Sequence, residues 1–163
     1  RCSRDWSSDV CSSDLQCAAS RLKALDAHVG MIVVAAMARA RESADILRAT
    51  LGEVPVRVEP LLNERRLGEW NLRTVAETEG PLRDGVTPPG GESESAFRVR
   101  VAAAIEYLRP LLPGKLLVVS SKGVARMMHT LLGGSGRLQL DNGEIARFTM
   151  PTTVSSPQPG AQS

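Results

Sequence analysis

The sequence predicts an α/β fold: a three-layer α/β/α domain built around a mostly parallel sheet. Short apolar runs with the length of buried strands alternate with segments whose apolar residues fall at helical spacing. Strands that alternate with helices favour a parallel sheet with helices on both faces. Ligands bind to such sheets at the carboxyl ends of the strands, so functional residues are expected in the loops that follow the strands.

The first half of the domain predicts two helices and two strands. Apolar residues at helical spacing mark helices at 18–29 and 37–51, and each is followed by a glycine. The run 31–35 contains one Ile and two Val and has the length of a buried strand, and 54–58 alternates weakly as a second strand. The polar segment 61–80 is expected to form a loop with a short helix.

The second half predicts two further helices and two further strands. A Thr-Pro-Pro-Gly-Gly loop precedes Ser93, a residue suited to cap the helix that follows. The inner face of that helix is predicted to hold Phe97, Val101, Ala104, Leu108 and Leu112. The elements are a loop at 83–91, a helix at 93–112, a strand at 116–119, a turn at 120–123, a helix at 124–132 and a last strand at 144–150.

Composition limits the possible partners. A chain of 163 residues fits one domain, and a net charge of +2 is too small to argue for nucleic acid or an anionic membrane. No apolar run approaches the ~18–20 residues of a membrane span. Cys2, Cys11 and Cys17 lack metal-ligand spacing with histidines, which indicates incidental thiols in a cytoplasmic protein.

The two ends of the chain differ from its middle. Residues 1–15 read RCSRDWSSDVCSSDL, with neither a signal peptide's apolar stretch nor helical periodicity. They resemble a peptide that arises when sequencing-adapter DNA is translated, so we expect them to be non-native. The domain is then expected at 16–150, followed by a disordered tail at 151–163 that is rich in Ser, Pro, Gln and Gly.

Three loops after strands contain residues that could hold phosphate or move a proton. Arg39 falls in the first turn of a helix, where a guanidinium and helix amides bind anions, although Arg39 and Arg41 also fit solvated surface charges. Glu64 stands beside two arginines, as a proton donor or as a loop salt bridge. The Ser-Ser-Lys-Gly turn at 120–123 precedes a helix and can form an anion site from backbone amides.

Taken together, the order and spacing of these motifs resemble the histidine phosphatase superfamily, the phosphoglycerate-mutase-like phosphatases. The segment 35–44 keeps the arginine of the family's Ser-Pro-Leu-x-Arg-Ala-x-x-Thr-Ala pattern as Arg39 but not its Ser-Pro. Residues 62–65 read Leu-Asn-Glu-Arg, and Pro-Gly-Gly-Glu-Ser at 89–93 is followed by Arg100. Val-Val-Ser-Ser-Lys-Gly-Val at 118–124 matches Val-Val-Ser-His-Gly-Gly-Val.

The resemblance implies phosphoryl transfer through a phosphohistidine, without a metal or other cofactor. It assigns phosphate binding to Arg39 and proton donation to Glu64. The second active-site histidine corresponds to Ser121 and a family glycine to Lys122, both expected near phosphate. The nucleophile's Arg-His-Gly motif would end a first strand before Gln16, and neither that strand nor the motif occurs here.

The expected function is therefore that of a phosphatase-family protein that handles a small phosphorylated metabolite and is inactive as this fragment. A non-catalytic phosphate-binding or interaction module is the alternative. A third possibility is a different parallel α/β fold with a nucleotide site at 120–123. The sequence predicts neither the substrate nor the oligomeric state.

Overall fold

The computed structural model describes residues 12–24, 28–111, 114–141 and 143–150. Three parallel strands form one sheet in the order β2-β1-β3. The central strand β1 (Met31–Val34) lies between β2 (Val56–Val58) and β3 (Leu116–Val119). Val33 stands opposite Arg57 on one side and Val118 on the other. The predicted parallel α/β fold is confirmed.

In the described part of the chain, five α-helices accompany the sheet. Side-chain caps fix the start of three of them: Thr74 forms a capping box with Glu77, while Ser93 and Ser121 each accept a bond from an amide three residues on. The helices are α1 (Ser12–Ala24), α2 (Ala38–Leu51), α3 (Val75–Arg83), α4 (Glu94–Leu108) and α5 (Lys122–Leu131).

The side chains of β1 alternate between two hydrophobic cores, as the pleat of a strand requires. Val33 packs with residues of α4 and α5, whereas Ile32 and Val34 pack with residues of α1 and α2. Helices therefore cover both faces of the sheet. The first core also contains Phe97, Val101, Ala104, Leu108, Val124 and Met127, and the second contains Leu15, Ala19, Ala44 and Leu47.

Three helix boundaries differ from the sequence prediction. Helix α4 ends at Leu108 and is followed by a short 3-10 turn at Arg109–Leu111, so it stops before the expected end at 112, and Leu112 lies outside the described residues. Helix α1 runs from Ser12 to Ala24 rather than over 18–29, so residues 12–15 are helical although the sequence there lacks helical periodicity. Leu15 is buried in the second core, and this packing accounts for the earlier start of the helix. Helix α5 begins at Lys122, two residues earlier than expected, because Ser121 caps it.

The strand expected at 144–150 is not formed: these residues have no regular structure. A strand needs a neighbour, and within the described ranges β3 pairs with β1 alone. The carbonyl of Val119 accepts a bond from the amide of Ala35, the residue that follows β1. By alternation, the N–H and C=O of Val118 face the open edge. The expected tail at 151–163 lies outside the described residues. Among the helices the structure describes, none has the length and apolarity to cross a membrane.

Candidate active site

The loop after β1 leads into α2, whose first turn carries Arg39. The amide of Ala36 donates to Oδ1 of Asn63 at 2.8 Å, which ties this loop to the loop after β2. The N-cap of α2, Met37, makes no side-chain bond, and the first turn contains no acidic residue. The positive end of the helix is therefore not neutralised by its own first turn.

Glu64 lies in the loop after β2 and pairs with Arg39. Its Oε2 accepts a hydrogen bond from Nη2 of Arg39 at 2.8 Å, with the two side chains 39% and 55% exposed. The salt bridge considered for this carboxylate thus exists, with Arg39 rather than with its sequence neighbours. An ion pair this exposed contributes about 0–1 kcal/mol, so an incoming anion can replace it at little cost.

The backbone around Glu64 is held by Arg100 of α4. Nη1 of Arg100 donates to the carbonyls of Leu61 and Asn63, both at 2.7 Å, and Nη2 donates to that of Glu64 at 3.3 Å. The same guanidinium binds the carboxylate of Glu92 through two bonds, of 2.9 and 2.7 Å. One side chain, only 19% exposed, therefore fixes the path of the loop that presents Glu64.

The Glu92 side chain is only 3% exposed, so its charge state matters for this arrangement. Hydrogen bonds from Arg100 lower the pKa of Glu92, and burial, which acts in the opposite direction, does not cancel the effect. Glu92 is consequently ionised at neutral pH. Its ion pair with Arg100 is therefore present at that pH and holds Arg100 against the loop of Glu64.

The turn after β3 leads into α5 through Ser121. Its Oγ accepts a hydrogen bond from the amide of Val124 at 3.3 Å, the geometry of a helix cap. The side chain of Lys122, the first helical residue, is exposed and makes no hydrogen bond or ion pair with any residue the structure describes. The turn thus places the unpaired ammonium group of Lys122 and the N-terminus of α5 at the edge of the sheet.

Gly123 marks the point where these loops meet. A Cβ built on this glycine would lie 3.3 Å from Oε1 of Glu64 and 3.7 Å from Oγ of Ser121. Since Arg39 binds the other oxygen of the same carboxylate, Arg39, Glu64 and Ser121 surround one position at the carboxyl ends of the strands. The three residues lie 25 and 57 positions apart in the sequence, so the fold is what brings them together.

This arrangement has the chemistry of an anion site beside a proton-transfer group. The N-termini of α2 and α5 and the guanidinium of Arg39 favour a negatively charged ligand. A carboxylate within hydrogen-bond reach can pass a proton to or from an oxygen of that ligand. Within the described ranges, no cluster of three or more His, Cys, Asp or Glu side chains is arranged to bind a metal ion.

Sequence reasoning noted Asn63 and Arg100 only as parts of motifs and missed that both position the site. Asn63 joins two loops through one side-chain oxygen, and Arg100 joins α4 to the loop of Glu64. A signal for Arg100 existed, because it is a charged residue on a helix that is otherwise largely apolar. No signal in the sequence indicated that Glu92 is buried.

The two histidines of the chain lie away from this site. His28 was expected near the end of the first helix but lies in the segment before β1, after α1 has ended. His129 is on α5, with its ring 6.4 Å from that of Phe148. Trp70 and the pair Met127–Met128 are buried in the interior.

The chain belongs to the histidine phosphatase superfamily (branch 1), whose family profile matches residues 10–155. This match rules out the alternative of a different parallel α/β fold with a nucleotide site at 120–123. A search of curated protein sequences gave no significant match.

Solved structures of phosphatases share the fold. The chain is similar to the alpha-ribazole phosphatase of Shigella flexneri, with a TM-score of 0.64 and 24% identity over 76% of this chain and 66% of that one. It is also similar to a mycobacterial glucosyl-3-phosphoglycerate phosphatase, with a TM-score of 0.63 and 22% identity over 83% and 70% of the two chains. The latter has also been solved with inorganic phosphate, and that structure has a TM-score of 0.62 at 23% identity over 74% and 66% of the chains. The chain thus spans just under two thirds of the Shigella flexneri enzyme.

Proposed function

We propose that this chain binds phosphate esters of small metabolites at the carboxyl edge of its sheet. Arg39 and the amides at the start of α5 hold the phosphoryl group, with Ser121 and Lys122 beside it, and Glu64 faces the ester oxygen. The observation that carries the proposal is the convergence of Arg39, Glu64 and Ser121 around Gly123 in a member of a phosphatase superfamily.

Binding requires the guanidinium of Arg39 to exchange one anion for another. In the free protein it pairs with Glu64, and a phosphate dianion offers it more charge and a bidentate geometry. Glu64 is then released beside the ester oxygen, where a protonated carboxyl can donate to a leaving alcohol. The exposure of the Arg39–Glu64 pair supports this exchange, because little stability is lost when the pair opens.

We further propose that residues 1–163 bind phosphate esters without hydrolysing them. Phosphoryl transfer in this family uses a histidine nucleophile, and the two histidines present lie outside the site. Ser121 occupies the position of the second histidine, and its oxygen is engaged as the cap of α5. A serine hydroxyl has neither the charge nor the second nitrogen of an imidazole.

For the natural protein, the two candidate functions are a phosphatase and a non-catalytic binding module, and the capping role of Ser121 favours the second. A serine that caps a helix stabilises the fold, and this role does not depend on whether the protein turns over substrate. The two candidates predict the same ligand and differ only in whether the natural protein cleaves it.

The test is a phosphate titration followed by amide resonances or calorimetry, with two matched arginine variants. Arg39→Gln should abolish binding of inorganic phosphate, whereas Arg41→Gln, two residues along the same helix and also exposed, should leave it unchanged. Hydrolysis of an aryl phosphate should not exceed the buffer blank. Equal effects of the two variants would refute the proposed site, and turnover that Glu64→Ala abolishes would refute the lack of activity.

A further inference from the structure

The Glu64 carboxylate reaches both halves of the proposed phosphate site. Its Oε2 accepts a hydrogen bond from Nη2 of Arg39 at 2.8 Å, and its Oε1 lies 3.3 Å from the point that a Cβ on Gly123 would occupy. Gly123 is in the first turn of α5, where backbone amides have no partner within the helix. In the free protein, this carboxylate therefore stands where an anion between Arg39 and α5 would bind.

The backbone of Glu64 limits how far its side chain moves when an anion takes its place on Arg39. Nη2 of Arg100 donates to the carbonyl of Glu64 at 3.3 Å, and Nη1 donates to that of Asn63 at 2.7 Å. The side chain can rotate about its own bonds, but its attachment stays at the same edge of the site. A bound anion consequently has a carboxylate as its neighbour.

A carboxylate and an anion are compatible neighbours when one proton lies between them. Two oxygens that both lack hydrogen repel each other, whereas a shared proton forms a strong charge-assisted hydrogen bond. The dianion of inorganic phosphate keeps one P–O–H group. The dianion of sulfate has the same charge and a similar shape, and it has no hydrogen. A phosphate monoester keeps its proton below its second pKa, which is about 6 for phosphorylated side chains.

The cations around Glu64 do not distinguish these anions. They come from α2, α4, α5 and the loop of Glu64 itself, and they are Arg39, Arg100, Lys122, Arg126 and Arg65. Glu94, which lines the same cavity as Glu64, is bound to Arg65 at 2.7 Å. Since cations attract phosphate and sulfate dianions alike, a preference between the two has to come from an acceptor such as Glu64.

We propose that this site binds an oxyanion together with one proton, held between an oxygen of the anion and Glu64, so that Glu64 selects phosphate over sulfate. Arg39 and the amides of α5 supply the attraction, and Glu64 disfavours anions that bring no hydrogen. This selection acts on anions without a leaving group and is separate from proton donation to an alcohol. The inference rests on the proposed function and narrows its ligands to oxyanions that carry their own proton.

Calorimetric titration of the full chain at pH 8 with inorganic phosphate and with sulfate tests this selection. Phosphate should bind about tenfold or more tightly than sulfate. Glu64→Gln places an amide that donates to either anion, so it should raise the sulfate affinity until the two are equal. Asp45→Asn makes the same change of charge at an exposed position of α2 and should preserve the difference.

The outcomes separate this inference from the proposed function. Equal affinities for the two anions in the unchanged protein, or a preference that persists in Glu64→Gln, would overturn the role of Glu64 and leave the phosphate site in place. Failure of both anions to bind to the unchanged protein and to Glu64→Gln would overturn the phosphate site as well.

The pH dependence of sulfate binding is a second measurement, made on the unchanged protein. Sulfate stays fully ionised between pH 5 and pH 8, so the proton beside Glu64 has to come from solvent. The sulfate affinity should therefore rise as the pH falls, by up to about tenfold per pH unit. His28 and His129 lie away from the site, so their contribution is common to Glu64→Gln, in which the rise should be lost. A sulfate affinity that does not change with pH would overturn the shared proton.

Discussion

Replacement of Arg100 by methionine tests whether the arginine that pairs with buried Glu92 holds the site together. The substitution keeps most of the side-chain volume and removes five hydrogen bonds, two to the carboxylate of Glu92 and three to the carbonyls of Leu61, Asn63 and Glu64. Glu92 then remains as a buried, unpaired carboxylate. Breaking a buried ion pair from one side costs about 3–5 kcal/mol, so Arg100→Met should lower the free energy of unfolding by that amount.

The measurement is urea denaturation at pH 7, with Arg98→Met as the matched control. Arg98 lies on the same helix with an exposed side chain, and its replacement should change the free energy of unfolding by less than about 0.5 kcal/mol. Because much of the cost comes from the stranded carboxylate, the double variant Arg100→Met/Glu92→Met should recover part of the loss. A loss below about 1 kcal/mol for Arg100→Met, or a double variant weaker than the single, would refute the reasoning.

Three further outcomes follow from particular contacts. Gly68→Ala should lower the melting temperature more than Gly85→Ala. Both glycines have positive φ, but only at Gly68 would a Cβ overlap the backbone of Pro89–Gly91, so equal melting temperatures would contradict this. Ser121→Ala should lower the free energy of unfolding by about 1 kcal/mol by removing the cap of α5, and Ser121→Asp should retain the stability; thermal denaturation distinguishes them. The lowered pKa of Glu92 means that its contribution is complete above its ordinary pKa of 4.5 and is lost as the pH falls from there through the lower pKa of the folded state. Glu92→Gln should therefore flatten the acid limb of the stability profile, and an unchanged limb would contradict the assignment.

The parts of the fold that local sequence determines were predictable, and those that depend on pairing partners were not. The positions of β1, β3, α2 and α4 followed from runs of Val, Ile and Leu and from helical spacing, because their burial leaves a periodic signal. The segment 144–150 has a similar signal but no strand beside it in the described ranges, and periodicity does not record neighbours. The start of α1 was missed for a related reason, since Leu15 is held by tertiary packing within a polar stretch.

For the site, the sequence indicated residues but not their contacts. Arg39, Glu64 and the Ser121 turn were identified because each follows a strand, and carboxyl ends of parallel strands meet at one edge. The partner of Glu64 was not identifiable, because two adjacent arginines stood next to it and Arg39 was distant. Likewise, Nη2 of Arg65 is buried without a hydrogen-bond partner because of three-dimensional packing that no spacing rule describes.

Replacement of Gly123 by alanine separates the stability of α5 from the shape of the site. Alanine is favoured over glycine inside a helix by up to about 1 kcal/mol, and Gly123 has no left-handed φ that would oppose the change. Its new methyl group, however, would occupy the point between Glu64 and Ser121 where we place the phosphoryl group. Gly123→Ala should therefore raise or preserve the melting temperature and weaken phosphate binding several-fold. Ala125→Gly, two residues further along the helix, should do the reverse: lower the melting temperature with little effect on phosphate. If binding instead follows helix stability in both variants, the point beside Gly123 is not the place where phosphate sits.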